Sequence, residues 1–274
     1  MNRRSSKSPP RDQTIKPSKL KYGLKRSSIK DDELNKVCYL SFDRLELKAE
    51  CDLRDFYKID VYNQLNTNSC SANAICQQIK LLNQKMLKKD IEPSRRFIYF
   101  NSRLLDREKE GSKREILDEG ATLISAFESL NIYRFCSDNR CSFEIEKVNS
   151  FPPPDAYLSA FENNDNITSY KRIVPSLYNF KYIISVLKKP IVFGISIYES
   201  FEKLTKENDI LNIPTESEDY YGLHALAAVG YSDATQTFLI CNSHGTSFAS
   251  DGYFRLTYRF MMDPTLSFEH YILE

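Results

Sequence analysis

The chain has 274 residues, 41% hydrophobic and 12% aromatic, with 38 Lys or Arg against 37 Asp or Glu. Such a length and composition suit one large globular domain or two modest lobes, and a net charge of +1 points to no polyanionic partner. No apolar run approaches a membrane span or a signal-peptide core, so no membrane contact is expected and the protein is read as intracellular or packaged in a virus particle.

The charge is unevenly spread: the first 30 residues carry +9 and the remainder −8. Residues 1–35 are rich in Lys, Arg, Ser and Pro without an apolar period, which describes a solvated arm. No aromatic stacking pattern accompanies that charge, so nucleic acid is not an expected partner. A strand-like run follows at residues 37–42.

Residues 62–69 are turn chemistry, with Asn63, Asn66, Thr67, Asn68 and Ser69 all able to bond locally to backbone. A helix is predicted from Cys70 to about residue 89, because Ile75, Ile79, Leu82 and Met86 recur at helical spacing. Ser69 or Asn68 is its natural N-cap, which puts Cys70 in the first turn. There the helix dipole favours the thiolate, the nucleophilic form of cysteine. Gln64, six residues earlier, is placed to fold back and offer an amide N–H beside the sulfur, next to the backbone N–H of Cys70.

Pro93-Ser94 opens a second predicted helix over 95–107, and a third spans 121–130 after a charged loop at 111–118. Cys136 and Cys141 have no second Cys or His pair near them, so they are read as structural thiols. No metal and no cofactor are expected. The run Phe151-Pro152-Pro153-Pro154 is taken as part of the crossing between lobes. A helix at 177–187, a β run at 191–198 and an acidic loop at 199–220 come next. Strands at 225–231, 237–241, 253–258 and 268–273 then form an antiparallel sheet or barrel, giving an α+β chain overall.

In that sheet His224 and Asn242 each lie nine residues from Asp233 in the predicted hairpin turn, which sets them opposite one another. The Asn carbonyl can then accept from one imidazole nitrogen and leave the other facing a cleft. Seven cysteines, an odd number at irregular spacing, suggest no disulfide framework and favour a reducing compartment. The glycosylation pattern Asn166-Ile167-Thr168 carries no weight without an export signal.

Three blocks stand in order: Gln64 with Ser69-Cys70-Ser71-Ala72; Leu223-His224-Ala225-Leu226-Ala227; and Cys241-Asn242-Ser243-His244-Gly245 with Asp251-Gly252-Tyr253-Phe254. Together they resemble the papain family of cysteine peptidases. The resemblance implies a two-lobe fold, with a helical lobe over about 65–150 and a β-barrel lobe over about 151–274 inside a peptidase domain of 51–274. It implies Cys70 as nucleophile, His224 as acid and base, Asn242 as orienting residue, and Gln64 in the oxyanion hole. Proteins or peptides would be substrates. Residues 1–50 would be an inhibitory prosegment, and the protein a monomer.

Where the family usually carries Trp, this chain has His244. Asn66 and Asn68 replace glycines, and Thr67 replaces a disulfide cysteine. Gly222 and Leu223, beside the histidine, and His244 are expected to contact substrate. Family members that trim dipeptides carry paired histidines on a blocking loop; this chain has three histidines in all, two of them in the His and Asn blocks, so endopeptidase action is expected. Two alternatives are a papain-like binder with weak or no turnover and a Cys-dependent acyl transferase. The latter would more typically have Asp at position 242 and lack Gln64. A covalent cap on Cys70 by Cys38 is a further hypothesis.

Overall fold

The computed structural model describes residues 14–27, 45–87, 90–162 and 169–274. The strand expected at 37–42, Cys38 and the Asn166 pattern lie outside these residues. In chain order the strands are β1 (Leu24–Lys25), β2 (Glu50–Asp52), β3 (Ala121–Thr122), β4 (Tyr170–Arg172), β5 (Ile191–Tyr198), β6 (Ile210–Leu211), β7 (Tyr220–Ser232), β8 (Thr237–Cys241), β9 (Tyr253–Thr257) and β10 (Ser267–Leu273). The helices are α1 (Cys70–Leu82), α2 (Arg95–Lys109), α3 (Leu123–Tyr133), α4 (Pro154–Glu162), α5 (Leu177–Ser185), α6 (Glu199–Glu202) and α7 (Tyr258–Met261).

One sheet runs β4-β10-β5-β7-β8-β9-β6, with β2 added to the far end of β7. All its pairings are antiparallel except β6 with β9. Its packed face buries Phe193, Phe238 and Phe254 against Phe180 of α5 and Phe260 of α7. Each such ring contributes about 1.5–3 kcal/mol by leaving water. Because β2 and the backbone of Lys48 and Ala49 are bonded to this sheet, residues just before 51 already belong to the β lobe.

The helical lobe is α1 to α4. Ser94 caps α2 by accepting from the Phe97 N–H, and Thr122 caps α3 by accepting from Ser125. The first residues of the predicted third helix, Ala121 and Thr122, instead form β3. Helix α4 buries Ala156 and Ala160 against Phe97, Cys136 and Cys141 of the helical lobe. The triple proline therefore leads into a helix of the first lobe, and the crossing comes later than expected, after residue 162.

Helix α1 also differs from its sequence pattern. It ends at Leu82 and continues as a π-helical turn over Asn83–Leu87, leaving Met86 exposed. Every one of its residues is buried, polar ones included. Most of those polar side chains bond to other parts of the chain rather than to solvent, the Ser71 hydroxyl being without a partner among the described residues. Gln78 donates to the Pro190 carbonyl at 2.6 Å and accepts from the Leu273 N–H at 3.1 Å. Lys80 reaches Asp60 and, at 2.6 Å, Glu92. Thus α1 is the wedge between the lobes, and its second face is satisfied by partners that sequence periodicity cannot reveal.

Candidate active site

The loop before α1 is tied across the lobe boundary to the chain after β8. Asn63 and His244 form an isolated antiparallel bridge, flanked by Gln64 N–H to the Ser243 carbonyl at 2.8 Å and Gly245 N–H to the Tyr62 carbonyl at 2.9 Å. This bridge brings together the residues that sequence analysis singled out. The Ser243 hydroxyl donates to Gln64 Oε1 at 2.7 Å, so the Gln64 amide nitrogen is turned the other way. Gln77, one turn and more along α1, bonds Asn242 O at 3.3 Å.

Ser69 holds the N-cap position but makes no side-chain cap bond; its hydroxyl joins Thr67 and Asn73 instead. Cys70 opens the helix, fully buried. Its sulfur is approached by the backbone N–H groups of Ala225 and Gly23, as well as those of Ser71 and Cys70. Since Ala225 directly follows His224, the sulfur of one lobe lies against the histidine strand of the other.

His224 donates through Nε2 to Asn242 Oδ1 at 2.8 Å, and its Nδ1 is buried without a hydrogen-bond partner among the described residues. The two residues do not stand directly opposite, as the hairpin symmetry suggested. Pairing runs Ala227↔Cys241 and Ala228↔Ile240, then shifts at a bulge before Gly230↔Leu239. Continued past Cys241, this register sets position 244 across from His224 and makes Asn242 its diagonal neighbour. Accordingly His244 stacks on His224, with ring centroids 4.8 Å apart and planes within 5°. The imidazole thus covers the His–Asn pair where a Trp was expected. Asn242 Nδ2 completes the cluster by donating to His244 Nδ1 at 3.1 Å.

The cleft between the lobes is filled by the N-terminal arm. Gly23 O accepts from Ala121 N–H at 3.1 Å, and β1 pairs in parallel with β3 of the helical lobe. On the other wall Lys16 N–H bonds the Tyr220 carbonyl at 3.0 Å. Glu202 accepts from the Tyr22 hydroxyl at 2.8 Å and from Ser18, while Glu269 accepts from Ser27 N–H and Oγ, both at 2.9 Å. The Tyr22 ring meets both His224 and His244 edge-on. Gln64 Nε2 donates to the Lys21 carbonyl at 3.1 Å.

Gly23 could be no other residue in this position. A Cβ there would lie 2.1 Å from the Asn68 carbonyl oxygen, a backbone atom that cannot swing aside. Gly120 is under the same constraint, with φ +82° and the Gly23 oxygen 1.7 Å from its would-be Cβ. The expected substrate contacts all face this arm. A Cβ on Gly222 would touch Tyr22 at 3.7 Å, Leu223 packs in the cluster that holds Leu24, and His244 meets Tyr22 and Lys21.

Cover reverses the expected electrostatics. Burial pushes the Cys70 thiol up to about 11, outweighing the four backbone N–H groups that pull it down. Burial first, and the neighbouring His244 second, hold His224 well below an ordinary histidine, against the opposing bond to Asn242. Under the arm, therefore, burial favours an uncharged thiol and an uncharged imidazole over the thiolate that a helix N-terminus alone would favour.

Cys136 and Cys141 are buried beside α4, and His270 is buried in the β-lobe core between Phe180 and Phe193. Sequence reasoning missed Lys21, Tyr22 and Gly23 because an arm without periodicity carries no local signal of where it docks. It missed Ser243, whose position beside Asn242 was the one available hint.

A family profile described as papain family cysteine protease matches residues 47–263. An uncharacterized peptidase C1-like protein of Acanthamoeba polyphaga mimivirus is 29% identical over 231 residues, covering 77% of this chain and 68% of that protein. Among solved structures, xylellain, a cysteine protease from Xylella fastidiosa, superposes with a TM-score of 0.79 over 95% of this chain and 99% of its own, at 24% identity. Procathepsin B from Trypanosoma congolense matches at TM-score 0.63 and 12% identity, over 93% and 87% of the two chains.

Proposed function

Because the chain belongs to the papain family of cysteine proteases, we propose that it is an endopeptidase made with a built-in inhibitor, the arm through residue 27 closing the cleft until it is displaced or cut. The observation that carries this reading is the course of Lys21-Tyr22-Gly23 between Gln64, Cys70 and the two stacked histidines. Once water and substrate replace the arm, the burial that keeps Cys70 and His224 uncharged is relieved, and the helix N-terminus favours the thiolate.

The chemistry then follows from the atoms present. His224 Nδ1 takes the thiol proton, and the Cys70 sulfur attacks a peptide carbonyl carbon, forming the S–C bond while the carbonyl pair moves onto oxygen. Gln64 Nε2–H and the Cys70 backbone N–H are the donors for that oxygen. Collapse breaks the C–N bond, and His224 returns its proton to the leaving amine. Water, deprotonated by His224, next adds to the acyl-enzyme and releases the acid, restoring the thiol. Asn242 keeps the His224 ring oriented throughout and adds no charge.

Endopeptidase rather than dipeptide-trimming action is supported by the location of His270 in the core, which leaves the cleft no histidine pair beyond His224 and His244. The test compares the full chain with one cut after residue 27, using a fluorogenic dipeptide amide and an epoxysuccinyl inhibitor. Hydrolysis that rises on cutting, with one inhibitor adduct at Cys70, is expected. Adduct without hydrolysis in either form would instead identify a peptide binder, and equal activity in both forms would remove the inhibitory role.

A further inference from the structure

His244 does more in this geometry than shield the His–Asn pair. The Lys21 carbonyl oxygen, two residues before the Gly23 N–H that approaches the Cys70 sulfur, is held by two side chains from opposite lobes: Gln64 Nε2 at 3.1 Å and His244 Nε2 at 3.4 Å. The proton on that second nitrogen follows from the bonds around it. Ser243 backbone N–H donates to Asn242 Oδ1 at 2.8 Å, and since a backbone N–H can only donate, the atom it meets is the amide oxygen. Asn242 Nδ2 is consequently the donor to His244 Nδ1 at 3.1 Å, so Nδ1 is the acceptor and the ring proton sits on Nε2, aimed at the arm carbonyl.

The Lys21 carbonyl stands in for a peptide carbonyl oxygen held by Gln64. We propose that His244 Nε2–H is a second side-chain donor to the oxygen that Gln64 holds, so that this chain stabilises the developing oxyanion from both lobes. The inference rests on the peptidase reading above. A neutral donor there adds no charge to the His224 ring stacked on it; under the arm burial lowers the His244 pKa to about 4, and an ordinary histidine value of about 6.5 still leaves it mostly neutral near pH 7 once the arm lifts. The bridge Asn63↔His244 carries Gln64 and His244 on the same backbone ladder, so the two donors are set by one structural feature.

The test uses the full chain with Tyr22→Ala in every sample to loosen the arm, and expresses turnover per site titrated with an epoxysuccinyl inhibitor. His244→Phe retains a flat ring over His224 but has no donor; His244→Gln retains an N–H at a similar reach without the ring. H244F is expected to lower kcat about 10-fold or more with little change in KM, and to weaken a peptide aldehyde, whose adduct carries an oxyanion, by a similar factor. Alkylation of Cys70 by iodoacetamide, followed by mass spectrometry of its peptide, involves no oxyanion and should change less than about twofold. H244Q should recover most of kcat. An H244F protein with unchanged kcat overturns the assignment, as does one whose alkylation falls in step with kcat, which would mark a shielding role. H244Q falling further than H244F also overturns it. Y22A protein with native His244 that is titrated at Cys70 but hydrolyses no peptide overturns the peptidase reading and this inference together, a failure visible before any His244 variant is compared.

Discussion

The two halves of the cleft are built differently. On the β-lobe side, His224, Asn242 and His244 hold one another through a hydrogen bond, a second hydrogen bond and a ring stack, all set by the register of β7 and β8. On the helical side, Gln64 and Cys70 complete their contacts with the arm, the one through the Lys21 carbonyl and the other through the Gly23 N–H. Half of the site is therefore organised by its own lobe, and the other half is finished by the arm. On the proposed reading, a peptide entering the cleft would find the imidazole cluster already assembled and would take over the contacts the arm makes to Gln64, Cys70 and His244.

The sharpest way to break that contrast is to remove Gln64, the sulfur-side donor. With the arm loosened by Y22A, Gln64→Ala should lower kcat by about 10²–10³-fold, the usual loss for one oxyanion donor. Steady-state kinetics that show a change in KM alone would place Gln64 in substrate binding instead. Next in size is the arm itself. Gly23→Val in the full chain puts a side chain where the Asn68 backbone already lies, so the arm must lift. Basal peptide hydrolysis should rise at least about 10-fold, equivalent to about 1.4 kcal/mol of lost docking. Unchanged hydrolysis would show that residue 23 does not control access.

A smaller effect concerns charge. Since cover raises the Cys70 thiol to about 11, its pH profile of alkylation should move downward in G23V by at least one unit, as water returns to the sulfur. The wild-type sign follows from burial: a raised thiol pKa keeps the uncharged form across neutral pH, and reaction with iodoacetamide should climb only in alkaline solution.

The halves also differed in how far sequence could reach. The start of α1, the opening of α2 at Pro93-Ser94, and most of the β-lobe strands were legible, because turn residues, N-caps and alternation act over a few positions. The meeting of His224 with Asn242 was legible in outline only. A bulge between Ala228 and Gly230 and a positive φ at Gln236 shift the hairpin register; Gly230 inside the strand was the local hint of the first, and no propensity of Gln236 announces the second. This shift is what stacks His244 on His224. The periodicity of α1 shows one apolar stripe, yet its polar face is buried too, and the partners of Gln77 and Gln78 come from residues more than 100 positions away. The arm's docking was least legible of all: Gly23 is required by the Asn68 backbone, a contact between two irregular segments.

The mildest test sets the site histidines against one remote from them. His224, His244 and His270 are all buried, and burial lowers the pKa of each, to about 4 for His244 and about 3 for His270. A histidine near 6.5 when unfolded and lower when folded binds more protons in the unfolded chain between those two values. Each therefore contributes stability that is complete above pH 6.5 and is lost as pH falls toward its folded value, by up to about 1.4 kcal/mol per pH unit. Urea unfolding of the full chain between pH 6.5 and pH 4 should show this as a falling midpoint. His270→Leu, which keeps an apolar group between Phe180 and Phe193, should flatten the dependence by about one proton. G23V should flatten it separately, because lifting the arm returns water to His224 and His244 while leaving His270 in its core. If G23V and H270L together flatten the slope no more than either alone, the imidazole side is not protected by the arm, and the two halves of the cleft are less alike in their dependence on cover than their burial implies.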